Sequence, residues 1–362
     1  MEELFSKVTD PRIQGRCLHK LYDVLFIALC TILANGEDFE DMVEFGQQRI
    51  EWLKTKIELP NGIPSHDTFN RVFQIIDNEE FKNSLGEDAK SFIDSIEGEL
   101  VSLDGKKIRG VSPTSKGNDG LFILSAWVNN YQVCIGQQKV EDKSNEIVAI
   151  PKLLDELDLA GSIISIDAIG CQTEIAKKIL AVDANYLLAI KGNQGDLFEE
   201  VKEGFKYTPV KEHSETWEYD HGRYEERRCS IHLASEILSP NTLRKWDGIK
   251  TIVMIQASRT KKGATTSETR YYMSSQSDQT LEDYNKMVRS HWGIENHLHW
   301  HLDVTMGEDK SRSRKRNAPL NLNVLRKIGL RRLKNMKDNL SLKKRKYRAS
   351  LNNKYLEKAL FS

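Results

Sequence analysis

The chain has 362 residues, 39% hydrophobic and 29% charged, and can bury a core of two or three domains. No apolar run reaches the ~18 residues of a membrane span, and the acidic start MEELFSKVTD has no signal-peptide pattern. Five scattered cysteines, odd in number and without a CxxC, exclude a disulfide framework and a cysteine-based zinc site and point to a reducing cytosol.

A net charge of zero hides an asymmetry. From Lys310 to Arg348 there are sixteen Lys and Arg against one acid, Asp338, so this block is about +15 and the remainder about −15. Such a block reads as a footprint for a polyanion, nucleic acid first, or as a basic segment docked on the acidic body of the protein.

Residues 1 to about 95 read as helical. Leu18 to Leu33 is densely apolar, and Phe39 to Ile57 repeats apolar residues at Phe39, Met42, Val43, Phe45, Ile50, Leu53 and Ile57, near helical spacing. After the turn LPNGIP, Ser65 is a good N-cap for HDTFNRVFQII, which would bury Phe69, Val72, Phe73 and Ile76. Helix, turn, helix is compatible with a DNA reader presenting His66, Asn70 and Arg71, and equally with a plain helical bundle.

From Glu99 the period changes. ELVSLDGKKIRG, LFILSAWVNN and YQVCIGQQKV read as three strands, the last two joined at Asn129-Asn130. A helix from about Ser144 to Asp155, the strand GSIISIDAIG, the helix TEIAKKILAV and the strand ANYLLAIKG follow. This order is a mixed α/β arrangement of ribonuclease-H-like type: three antiparallel strands, then two reached by crossover helices. Residues 196 to about 278 alternate as strands and read as a β-rich insertion. A helix from about Leu281 returns the chain to the core, and a basic helical tail ends it. The expected division is a helical domain over 1–95, a catalytic domain over 96–335 and the tail over 336–362.

The chemistry sits in HWGIENHLHWHLDVTMGED, residues 291–309, which holds four of the nine histidines. On a helix, His291, Glu295 and His299 share a face. Asp104 lies in an apolar strand and Asp167 ends another. A carboxylate in a buried strand is costly unless it is paired or binds a metal. With the first and fourth strands adjacent, Asp104 and Asp167 converge at one edge, and Glu295 approaches from the returning helix. Three carboxylates form an oxygen-only site suited to Mg²⁺ or Mn²⁺. Two such ions about 3.5–4 Å apart serve in-line phosphoryl transfer. Lys106, Lys107 and Arg109, then Lys191, Asn193 and Gln194, then Arg223, Arg227 and Arg228 are candidates for holding a phosphate backbone, or are solvated surface charge. A rival of another class is a zinc hydrolase built on His291, Glu295, His297, His299 and His301, although no HExxH occurs.

Motifs along the whole chain carry a resemblance: DPRIQGRCLHKL (10–21), LPNGIPSHDTFNRVF (59–73), LDGKKIRG (103–110), SAWV (125–128), GQQKVEDKSNEI (136–147), SIDAIGCQ (165–172), LAIKGNQG (188–195), HGRYEERR (221–228), residues 291–309 and APLNLNVLRKI (318–328). The chain resembles insertion-sequence transposases of the DDE superfamily, of the ISAs type that includes the H-repeat-associated proteins. The resemblance implies a ribonuclease-H-like catalytic domain preceded by a helical associated domain, with metal-dependent DNA strand cleavage and transfer. Asp104, Asp167 and Glu295 would be the catalytic, metal-holding carboxylates, with two Mg²⁺ ions (Mn²⁺ substituting). Lys106, Arg109, Lys191, Gln194, Arg223, His291, Arg312 and Arg314 are the expected DNA contacts. Where related transposases carry an arginine four residues before the glutamate and a lysine seven after, this chain has His291 and Leu302. The implied partners are element terminal inverted repeats and target DNA, met by at least a homodimer in a bacterial cytoplasm or nucleoid, with no membrane. The other outcome of such ancestry is a catalytically silent DNA-binding protein.

Overall fold

A computed structural model describes residues 2–13, 15–111, 120–140, 146–220 and 222–362. The expected helix start at Ser144 and His221 of the 221–228 motif lie outside the described residues. Nine strands are described: β1 Leu100–Ile108, β2 Leu121–Val128, β3 Val133–Val140, β4 Ile163–Ile166, β5 Asn185–Ile190, β6 His213–Asp220, β7 Arg223–Leu233, β8 Thr251–Lys261 and β9 Ala264–Ser274. They form one mixed sheet in the order β3-β2-β1-β4-β5-β9-β8-β7-β6. β1, β2 and β3 are antiparallel, and β4 and β5 run parallel to β1. The parallel steps are bridged by helices Glu146–Glu156 and Thr173–Ala181, because parallel neighbours need a crossover.

The β-rich insertion is continuous with this sheet. β9 pairs antiparallel with β5, Leu187 opposite Ser274. The loop between β2 and β3 is wider than the expected Asn129-Asn130 pair. It spans Asn129 to Gln132, with Gln132 at φ 50 taking the left-handed position.

Helix Leu21–Leu33 is buried from Asp23 onward and is the centre of a helical layer, not an amphipathic surface helix. Helix Ala318–Asn335 lies across it. Gly329 allows this approach, since a Cβ there would sit 3.2 Å from Ile32 Cγ2. The expected helix over Phe39–Ile57 is interrupted: it runs Phe39–Gln48, breaks at Arg49 (φ −117) and resumes over Ile50–Leu53. The Arg49 guanidinium donates to the Ser350 carbonyl, tying the break to the C-terminal helices.

Those helices, Leu342–Leu351 and Asn353–Leu360, bury Ala349, Leu356 and Leu360 in the same core as the N-terminal ones. Much of the basic block is therefore internal. Arg326, Lys327, Arg331, Arg345 and Lys346 are buried. Arg331 and Arg332 grip Asp88, Arg345 binds Asp338, and Lys346 donates to the Thr305 carbonyl. Lys310, Arg312, Arg314, Lys315 and Arg316 remain at least partly exposed. Among the described residues no helix is long and apolar enough to cross a membrane.

Candidate active site

β1 and β4 bring two carboxylates abreast. Their parallel register pairs Leu103 with Ile166, so the next residues on the two chains are Asp104 and Asp167. Residues two apart on a strand share a face, which places Ser102 beneath Asp104 and Ser165 beneath Asp167. On that face Asn129 Nδ2 donates to Ser102 Oγ (2.7 Å). Ser102 Oγ lies 3.0 Å from Ser165 Oγ, and Ser165 Oγ 2.9 Å from His291 Nδ1. This polar ladder fixes the end of helix Leu281–His291 on the sheet, four residues before Glu295.

Beyond His291 the chain does not continue as an α-helix. Ile294–His299 and His301–Thr305 are wider, π-type turns, a form concentrated at functional sites. Within them Glu295 stays exposed while His299 turns inward, its Nδ1 3.4 Å from Asp104 Oδ2. Asp104 Oδ1 accepts from the Gly105 amide (2.9 Å). Across Gly105 lies Glu146: a Cβ at the glycine would sit 2.2 Å from Glu146 Oε1, the far end of a flexible side chain. A fourth carboxylate therefore approaches Asp104 across that glycine.

Burial pushes the Asp104 carboxyl up to about 7, and the negative charges of Glu295, Asp167 and Glu146 add to the effect. His291 is held down to about 4 by burial, although Asp167 opposes this, and His299 to about 3 by burial and by Lys327 and Lys106. Both imidazoles are neutral at pH 7. His299 Nε2 is buried and without a hydrogen-bond partner.

Asp167 begins a loop whose Ile169 amide donates to Asp167 Oδ1 (3.0 Å). Asn193 Nδ2 donates to the Ala168 carbonyl (2.7 Å), and Gln194 Nε2 to the Ala168 and Cys171 carbonyls (3.1 and 2.7 Å). Asn193 and Gln194 thus clamp the Asp167 loop, and the Gln194 amide is engaged there instead of facing a phosphate.

Two further expected DNA contacts are corrected by burial. Lys106 is 9% exposed, with Nζ 2.5 Å from Asp303 and 2.6 Å from Glu308. It is an internal counter-ion. His291, bonded to Ser165 and neutral, is not a surface cation. Lys191, Arg109, Arg312 and Arg314 are at least partly exposed, and Arg314 Nε donates to the Gly110 carbonyl (3.2 Å). Arg223 is half-buried, with Nε 3.0 Å from Glu225.

Asp303, Glu308 and Asn323 are buried or half-buried partners beside this site that the sequence does not single out. Glu308 is fully buried, accepting from Lys106 and Asn323 (2.7 Å) with Arg326 at 4.0 Å. Its only signal is its place in the 291–309 motif.

The histidine-based zinc site does not form. His291 faces Ser165, His299 faces Asp104, and His301 Nδ1 lies 3.0 Å from Thr305 Oγ1. Among the described residues no three His, Cys, Asp or Glu side chains are drawn together closely enough to hold a metal ion, Asp104, Asp167 and Glu295 included. Around Asp104 the donors offered are carboxylate oxygens, the chemistry of a hard divalent ion. Burial first, and then the charges of Glu295, Asp167 and Glu146, raise the Asp104 carboxyl, and such an ion would relieve both.

The fold defines an α/β protein with Asp104 and Asp167 abreast at the ends of adjacent parallel strands and Glu295 in the turns that follow the returning helix. The chain belongs to the transposase DDE domain family: residues 96–328 match the "Transposase DDE domain" model, and residues 2–87 match "DDE_Tnp_1-associated". It is 38% identical to "Putative transposase YncI" of Escherichia coli O157:H7, over 99% of this chain and 94% of that one. It is 33% identical to "H repeat-associated putative transposase YhhI" of Escherichia coli strain K12, over 99% and 97%. A piggyBac transposase synaptic complex with hairpin DNA aligns at TM-score 0.44 and 14% identity, covering 99% of this chain and 77% of that one.

Proposed function

We propose that this protein cuts DNA at the ends of a mobile element and joins the freed 3′-hydroxyl to target DNA, with Asp104, Asp167 and Glu295 as the catalytic carboxylates. The observation that carries the reading is the β1–β4 register, which sets Asp104 beside Asp167, together with the Glu295 charge acting on the buried Asp104 carboxyl. The strand order β3-β2-β1-β4-β5 supports a ribonuclease-H-like catalytic unit over about 96–335 that carries the 196–278 insertion. A helical associated unit over 1–95 precedes it, and the C-terminal segment 336–362 packs against that unit.

The three carboxylates would hold Mg²⁺, or Mn²⁺ in its place, as two ions. Bound there, such ions supply activation of the attacking oxygen and charge neutralisation at the leaving one. The protein's own side chains do the rest. Asn193 and Gln194 hold the Asp167 loop, His291 anchors the helix end before Glu295, and His299 packs beside Asp104. In the first step a water oxygen bonds to the phosphorus at the element end and the 3′ oxygen leaves as a hydroxyl. In the second, that hydroxyl bonds to a target phosphorus and displaces the next 3′ oxygen. Arg109, Lys191, Arg312 and Arg314 meet phosphates, and pairing of two ends calls for at least a dimer on DNA.

The test is strand cleavage on DNA carrying the element's own ends, with Mg²⁺, for wild type and Glu295→Gln. The variant should bind equally and cut at a rate at least ~10-fold lower, a conservative bound for loss of an electrostatic group at the reacting centre. Equal cutting by the variant would remove Glu295 from the site. Binding without cutting by both proteins would favour the silent DNA-binding reading. A second prediction concerns His299. Its replacement by alanine should weaken Mn²⁺ binding about 10-fold, as loss of a group packed beside a ligand does. Asn, which keeps a polar side chain beside Asp104, should recover part of it. Titration of Mn²⁺ followed by electron paramagnetic resonance reads both, and unchanged binding by the alanine variant counts against the role.

A further inference from the structure

Beside Glu295 a cleft of about 790 Å³ opens between the β7–β9 strands and the helix end, lined by Arg223, Arg227, Arg259, Arg270, Arg289 and Trp292 among others. Its floor is organised by one buried carboxylate. Glu225, 8% exposed, sits in β7, with Arg223 and Arg227 two residues to either side on the same face and Arg259 directly opposite on β8. All three guanidiniums converge on it: Arg223 Nε at 3.0 Å, Arg227 Nη2 at 3.0 Å and Arg259 Nε at 2.8 Å.

Three cations on one carboxylate leave an excess of positive charge. The other arginines at the cleft do not share in the Glu225 pairing. Arg270 is paired with Glu268 (2.8 Å) and lies 5.0 Å over the Trp292 ring, and Arg289 is paired with Glu218. Two nitrogens of the fan, Arg223 Nε and Arg227 Nη1, are buried with no hydrogen-bond partner, and burial and then the like charge of Arg289 press on Arg227. A purely structural ion network closes its donors, because an unpaired buried charge is destabilising. This one leaves part of a planar donor fork unused beside the cleft. Guanidinium forks match phosphate oxygens in geometry and charge.

We propose that Arg223, Arg227 and Arg259, fanned around Glu225, form a phosphate cradle that grips the DNA backbone on its way to Glu295. The proposal rests on the DNA-cutting reading above and deepens it by giving the insertion strands a role, that of a preordered backbone clamp at the mouth of the acidic centre. Glu225 is a positioning residue here, holding the three forks in one plane of approach. The carboxylates in the cleft wall, Glu226, Glu268 and Glu295, keep a strand from binding everywhere along it and confine the phosphate to the fan.

The test is the salt dependence of affinity for a fluorescein-labelled blunt DNA duplex, read by anisotropy on the full chain. Each lost phosphate contact lowers the slope of log K against log salt by about 0.9. Arg227→Gln with Arg259→Gln should lower the slope by about 1 to 2 and weaken binding about 10-fold at fixed salt. The charge-matched pair Arg244→Gln with Lys245→Gln, on the helix Pro240–Lys245, should leave the slope at the wild-type value. Arg259→Gln alone guards against misfolding, since that side chain is 55% exposed and reports the cradle without disturbing the half-buried Arg227. A wild-type slope in both cradle variants overturns the proposal, as does an equal fall in the charge-matched pair. If wild type does not bind the duplex at all, the DNA reading falls and the cradle with it. Mn²⁺ binding, unchanged in the cradle variants, separates the clamp from the carboxylate centre.

Discussion

Glu308→Ala is expected to destabilise the protein by about 3–5 kcal/mol, the range for breaking a buried ion pair from one side. Glu308 is fully buried where the sheet meets the helical layer. It binds Lys106 of β1, Asn323 of helix Ala318–Asn335 and, at 4.0 Å, Arg326 of the same helix. Burial alone would raise its carboxyl. Lys106, then Arg326, outweigh that and hold it below the ordinary glutamate range. Alanine leaves Lys106 with Asp303 alone and Arg326 without a carboxylate at close range. The linkage sign follows. A carboxyl lowered in the folded state contributes stability that is present above its unfolded value, near ~4.3, and is lost as pH falls through the lowered one. The difference between wild type and variant should therefore be widest near neutrality and should shrink in acid. Chemical denaturation of both proteins across this range checks it. A difference below ~1 kcal/mol at pH 7 would mean that the cluster is relieved by water or by rearrangement.

This cluster also marks where local sequence stops being informative. Asp104 and Asp167 are legible because each ends or interrupts a run of apolar β-formers, and the order of strands and crossover helices sets those two runs side by side. Lys106 reads as a surface cation because its local sequence, GKKIRG, is what solvated turns look like. Its partners Asp303 and Glu308 lie about two hundred residues on, and no local pattern announces them. The basic block misleads in part for the same reason: Arg331 and Arg332 look like solvated helix charge until the distant Asp88 is seen against them, whereas Arg345 meets Asp338 within the block itself. Helical spacing puts His291, Glu295 and His299 on one face. The wider turns over 294–305 separate them, turning His299 inward to Asp104 while Glu295 stays exposed. The continuity of the insertion with the main sheet depends on the β5–β9 pairing, a contact between segments more than eighty residues apart.

Asp104→Asn should abolish strand cleavage, by about 10³-fold or more on the scale of losing a key electrostatic group, and should make the metal-free protein more stable at pH 8. The second half follows from the environment of the carboxyl. Its folded value is about 7, raised by burial and by Glu295, Asp167 and Glu146, against about 3.9 unfolded. A carboxyl raised in this way favours the fold fully below the unfolded value, and that contribution is lost as pH rises through the folded one. Asparagine is neutral throughout. Relative to wild type it should therefore gain stability between pH ~4 and ~7, reaching on the order of 2–4 kcal/mol at pH 8. Saturating Mg²⁺ should reverse the order, because an ion that binds only the folded wild type stabilises it by mass action and the variant lacks a ligand. Melting curves at pH 5 and pH 8, with chelator and with Mg²⁺, give four conditions for the two proteins. A variant no more stable than wild type at pH 8 in chelator would deny that Asp104 is held against its neighbours' charge. A variant that Mg²⁺ stabilises as much as wild type would deny that Asp104 holds metal. If both expectations hold, the cost of burying Asp104 among like charges is the same feature that draws the ion in.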